Sequence, residues 1–174
     1  MSYADLPKVP SFGITSESLK DGATLSPAQT SKRFGVAGGK DESPHVSWSG
    51  APAGTKSFVL TVFDPDAPRA GGYWHWALVN VPAGIDSLPA GAGVENGPDL
   101  PAGAFQLKND AGFAGYLGAA PPPGHGPHRY IVAVHAVDVE DLGLGAGATL
   151  DALVGKLASH SVGRASITGR FERR

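Results

Sequence analysis

The 174-residue sequence contains no cysteine, which removes disulfide staples, thiolate metal sites and thiol nucleophiles from the chemistry open to it. Charge is also scarce. Asp, Glu, Lys and Arg make up 17% of the chain, with 14 basic against 16 acidic residues and a net charge of −2. A nucleic-acid surface needs a stripe of Lys and Arg to neutralise phosphates, so that class of partner is excluded. No apolar run approaches the roughly 18–20 residues of a membrane span, and residues 1–6 lack the basic-then-apolar pattern of an export signal. The expectation is a soluble, cytoplasmic protein.

Apolar residues account for 41% of the sequence, enough to fill one core, and the length fits a single domain over residues 1–174. The 25 glycines and 15 prolines fall between apolar runs and read as turns. Residues 5–44 are polar and irregular, with weak strand signals only at 11–14 and 29–36, and predict an N-terminal wrap. Three later segments are rich in β-branched and aromatic residues at strand length: 57–63 (SFVLTVF), 74–81 (WHWALVNV) and 129–137 (RYIVAVHAV). Their near-continuous apolar character predicts inner strands with both faces covered. Thr149 followed by Leu150, Leu153, Val154 and Leu157 predicts a capped helix over Leu150–His160, and the alternation in 164–172 a final strand. The long connections 82–110 and 111–128 carry much of the glycine and proline, and long connections in small domains tend to carry function.

Two segments combine titratable groups with rigid turn chemistry. Asp64-Pro65-Asp66-Ala67-Pro68 follows the first central strand, and Pro121-Pro122-Pro123-Gly124-His125-Gly126-Pro127-His128-Arg129 precedes the third. Proline restricts its own φ and the residue before it, so carboxylates and imidazoles there are held in place. His75 lies inside the second strand, where simple alternation puts Trp74 and Trp76 on the opposite face. Imidazoles placed this way suit a phosphate or carboxylate near neutral pH. Taken singly, DPDAP reads first as an ordinary turn and His75 first as a core histidine, while His128 reads as either. His45, His125, His135 and His160 read as structural or exposed. Gly126 and Pro127 exclude a helical metal pair from His125 and His128, and a His75, His128, Asp64 iron site is less suited than metal-free anion binding. No GxSxG elbow and no phosphate loop is present. No cofactor and no metal are expected.

Together, DPDAP after a buried strand, WHWALVN with its closing Asn80, and PPPGHGPHRY leading into a third strand resemble the phosphatidylethanolamine-binding proteins. The likeness is to their short prokaryotic, Raf kinase inhibitor-like branch, and it covers roughly residues 10 to 172. Ser43-Pro44, Trp48, Asn109-Asp110 and Gly115-Tyr116 extend it. The resemblance implies a mostly β sandwich with Greek-key features, a few peripheral helices and one helix in the C-terminal region. It also implies a small cavity for phosphate-like anions and phospholipid head groups, often in a homodimer. Carried over by position, Asp64, Pro68, His75, His128 and Tyr130 bind the ligand, Asp66 and Arg129 fix the surrounding loops, and Tyr116 with Pro122 and Gly124 forms the rim.

Two departures bear on the cavity. Many members carry a Gly-Pro-Cys-Pro-Pro run where this chain has Gly118-Ala119-Ala120-Pro121-Pro122, and no helical pattern follows the final predicted strand to cover the site. A more open pocket is therefore expected. A binding role ranks first, modulation of a kinase or protease partner second, and a hydrolase acting on a phosphoester or ester third.

Overall fold

The computed structural model describes residues 2–174. Strands β1 (Gly13–Thr15), β2 (Val46–Ser49), β3 (Ser57–Asp64), β4 (Tyr73–Pro82), β5 (Ser87–Leu88), β6 (Phe105–Gln106) and β7 (His128–Val137) precede helix α1 (Leu150–His160) and strand β8 (Ser161–Phe171). They form two antiparallel sheets, β1-β2-β5 and β6-β4-β3-β7-β8. The three predicted central strands are the middle of the larger sheet. The peripheral helices reduce to two single 3-10 turns, Tyr3–Asp5 and Pro27–Gln29.

Both faces of the large sheet are buried, by different partners. On one face Leu60, Val62, Trp76, Leu78, Val132 and Val134 pack against Val46, Trp48 and Leu88 of the small sheet. On the other, Val59, Ala77, Val79 and Val137 pack against Leu153 and Leu157 of α1. The hydroxyl oxygen of Thr149 accepts from the Ala152 amide at 3.1 Å, capping α1, and Asp151 lies in its first turn. These place acceptors and negative charge where free amides accumulate. The helix passes without a loop into β8, which starts three residues earlier than the sequence pattern predicts because it pairs along the whole of β7.

The N-terminal wrap is present, although only the first of its two strand candidates forms a strand. Segment 29–36 starts in the 3-10 turn opened by Pro27 and continues through turns, with Gly35 at φ 75° and Thr30 making one isolated parallel bridge to Ala119. Proline pre-sets that turn and a left-handed glycine breaks an extended run. The wrap also covers the β8 edge: Gly22 donates to Thr168, Leu25 to Arg170, and Arg164 to Pro10. Unpaired edge groups are thereby satisfied.

His135 of β7 lies fully buried under the N-terminal segment. Its Nδ1 accepts from Arg164 Nε at 2.9 Å, so the hydrogen sits on Nε2 and is donated to Thr61 Oγ1 at 2.8 Å. Burial, and then the Arg164 charge, push its pKa well below the ordinary imidazole value. The folded state keeps this ring neutral while the unfolded chain protonates it below about pH 6.5. The unfolded state then binds the extra proton, so stability falls with pH by about 1.4 kcal/mol per unit from this residue alone. Urea unfolding between pH 7 and pH 5 is expected to show a smaller acid loss in His135→Gln.

Candidate functional site

The DPDAP and GHGPHRY segments meet because β3 and β7 are neighbours in the sheet. Phe63 pairs with Ile131, which brings Asp64 beside His128. Asp64 Oδ2 accepts from His128 Nδ1 at 2.7 Å, and both side chains are almost completely buried. Asp64 Oδ1 accepts from the Asp66 amide at 2.7 Å, closing the turn. Arg129 then donates to both Asp66 oxygens, Nε to Oδ2 at 3.0 Å and Nη2 to Oδ1 at 2.9 Å. This two-point pair holds the Asp66 carboxyl below its usual range, chiefly through the guanidinium hydrogen bond, and raises Arg129 in turn.

His75 reaches the same place through an irregularity that alternation alone does not predict. Val62 pairs with Trp76 and Phe63 with Trp74, which leaves His75 as an extra residue in β4. Such a bulge re-aims side chains. Trp74 therefore packs with Phe63 and Val154 on the helix side, while Trp76 lies in the inter-sheet core. The expected placement of both tryptophans on one face is corrected accordingly. His75 turns to the edge of Tyr130, with ring centroids 5.3 Å apart. Its Nδ1 donates to the Leu117 carbonyl at 2.8 Å, so Nε2 is bare in the neutral ring. Burial lowers its pKa, outweighing the hydrogen bond from Nδ1 to Leu117 and the Asp64 charge.

These side chains floor a cavity of about 240 Å³. Asp64, His75, His128 and Tyr130, with Arg69 and Tyr73 at the edge, supply its polar groups, and Pro68, Ala67, Leu117, Ala120, Pro121 and Pro122 its apolar wall. Tyr130 is 2% exposed, and its hydroxyl has no hydrogen-bond partner. Burial comes first among the causes that drive its pKa, and that of Tyr116, far above the phenol range. Tyr116 and Gly124 lie off the cavity: the Tyr116 hydroxyl donates to the Gln29 carbonyl at 2.7 Å, and the Gly124 amide donates to Arg173. At the mouth stand Phe34, half exposed, and Tyr73 with the Arg69 guanidinium 5.4 Å from its ring centre. The sequence offered no signal for these three, which come from separate loops and a strand end. His125 does carry one in retrospect, a histidine between two glycines three residues before His128. Its Nδ1 lies 2.6 Å from His128 Nε2.

A family model for the phosphatidylethanolamine-binding proteins matches residues 15–172. The chain belongs to the phosphatidylethanolamine-binding protein family. Among its relatives, UPF0098 protein YbcL of Escherichia coli K12 is 44% identical over 162 residues, covering 92% of this chain and 87% of the relative. UPF0098 protein YbhB of the same organism is 45% identical over 159 residues, covering 91% and 98%. The crystal structure of Escherichia coli YbcL, described as a new member of the mammalian PEBP family, superposes with a TM-score of 0.90 at 40% identity over 94% of this chain and 99% of that one. A Chlamydia trachomatis homologue of the same family gives a TM-score of 0.77 at 28% identity, covering 94% and 99%. The phosphatidylethanolamine-binding fold is thus present almost throughout, as a mostly β sandwich with one α-helix. Among the described residues, no helix is long and apolar enough to cross a membrane.

Proposed function

We propose that the cavity floored by Asp64, His75, His128 and Tyr130 binds a phosphate-like anion, free or as a phospholipid head group, without a metal. The observation that carries this reading is the convergence of unused polar atoms at one buried point. His75, with Nε2 unused by the Leu117 bond, and Tyr130 both line the cavity, and the Tyr130 hydroxyl is buried without a partner. Leaving such a group unpaired costs about 1–3 kcal/mol, which a bound oxygen atom would recover.

The neutral His75 ring presents an acceptor, so it donates to an anion only after taking up a proton. The anion stabilises the imidazolium and raises a pKa that burial had depressed. Binding therefore takes up a proton between the depressed free value and the raised bound value, and affinity rises as pH falls through that window. Calorimetric titration with phosphoethanolamine is expected to give about tenfold tighter binding at pH 6 than at pH 8. Equal affinity at the two pH values would remove His75 from the mechanism, and no saturable binding at either would remove the anion site.

A further inference from the structure

Both ring nitrogens of His128 are occupied within the protein itself. Asp64 Oδ2 stands 2.7 Å from Nδ1, and His125 Nδ1 stands 2.6 Å from Nε2. A carboxylate oxygen only accepts, so His128 keeps a hydrogen on Nδ1, and its Nε2 is bare when the ring is neutral. His125 then donates from Nδ1. If His128 is the protonated ring, the same bond runs in the other direction. One hydrogen lies between the rings in either case, so the pair stays closed with no added proton or with one. A second added proton sets two N–H groups head to head and two cations with ring centres 4.9 Å apart, an arrangement that cannot be a hydrogen bond.

The two partners differ in how firmly they are held. His128 is 2% exposed and anchored by Asp64, whereas His125 is exposed, on a loop flanked by Gly124 and Gly126 at φ 76° and 84°. That loop is tethered behind the histidine, where Gly124 donates to the Arg173 carbonyl at 2.8 Å and Arg173 Nε donates to the Pro121 carbonyl at 2.6 Å. The other ionisable groups around the pair are Asp64 beneath His128, His75 and Tyr130 across the cavity, Arg69 and Tyr73 at its mouth, the Asp66–Arg129 pair at the start of β7, and Arg173 behind the loop. His128 is the side chain that hydrogen-bonds to His125.

We infer that His125 is a built-in competitor for the anion site: it holds the outer nitrogen of His128 in the empty protein, and an arriving anion displaces it by moving loop 123–127. The inference rests on the cavity being an anion site. It adds a self-blocked resting state, relieved by ligand or by protonation of both rings. Specificity follows, because only a ligand that bonds the outer nitrogen of His128 more strongly than the His125 ring does opens the loop.

The test compares wild type with His125→Ala, titrated with phosphoethanolamine at pH 7.5 and pH 5.5. The variant is expected to bind about 3- to 10-fold tighter at pH 7.5, the factor by which a mostly closed state weakens apparent affinity. Without ligand, ¹⁵N-histidine spectra are expected to show the His128 Nε2 signal moving in the variant while Nδ1 keeps its hydrogen. Saturable binding that is equal or weaker in His125→Ala at pH 7.5, or an unmoved Nε2 signal, overturns the competitor alone. Absence of binding by both proteins at both pH values overturns the anion site and the competitor with it.

Discussion

Asp64→Ala is expected to destabilise the protein by about 3 kcal/mol and to abolish anion binding, while Asp64→Asn loses about 1 kcal/mol. Asp64 is 3% exposed and has two jobs: Oδ2 takes the His128 Nδ1 hydrogen, and Oδ1 takes the Asp66 amide. Alanine leaves a buried N–H without an acceptor and releases the turn, and the unsatisfied group bears its full desolvation cost. Asparagine keeps one carbonyl oxygen and the side-chain shape, so it retains the Nδ1 bond in weaker form. Urea unfolding at pH 7 measures the difference, and the nitrogen shifts of His128 report whether its hydrogen still resides on Nδ1. Equal stability of wild type and Asp64→Ala would mean that the carboxylate is not holding His128.

Gly118→Ala is expected to cost about 3 kcal/mol, at the upper end for overpacking, and to distort the cavity wall. A Cβ at this position would press on the Thr30 carbonyl carbon and oxygen and lie 2.6 Å from the Ser31 amide nitrogen. Backbone surrounds it, so there is no side-chain rotamer to relieve the contact. The approach is close because the wrap and the pocket wall are stitched together here: Ser31 donates to the Ala119 carbonyl at 2.9 Å, Ala119 to the Gln29 carbonyl at 3.1 Å, and Gly118 to Asp41 Oδ1 at 2.8 Å. Leu117, whose carbonyl orients His75, is the preceding residue. A lowered urea midpoint should therefore come with a shifted His75 imidazole signal. A stable variant with an unmoved His75 would show that the wrap can separate from the wall without consequence.

Several elements are legible in the sequence because their causes are local. Leu150–His160 has its cap, its dipole-matched acid and its 3.6-residue apolar stripe within twelve consecutive residues, and the helix has those bounds. The three central strands announced themselves through β-branched and aromatic runs, and the site segments through proline-fixed turns at strand ends. Segment 29–36 is not a strand because Pro27 opens a 3-10 turn, Gly35 is left-handed, and the backbone of 29–31 pairs with Ala119 far along the chain.

By itself, then, the sequence determined the class of fold and the family, and the resemblance carried by its three motifs named Asp64, His75, His128 and Tyr130 as a set worth joining. Tertiary structure alone decided how they are used. The one-residue bulge in β4 chose the face on which His75 lies, because register depends on two strands at once. Burial lowered the proton affinity of His75, because desolvation is a property of the surroundings and not of the imidazole. The fold of the loop 123–127 set His125 against His128. A bond between two rings needs the direction of both, and residue order carries no such information.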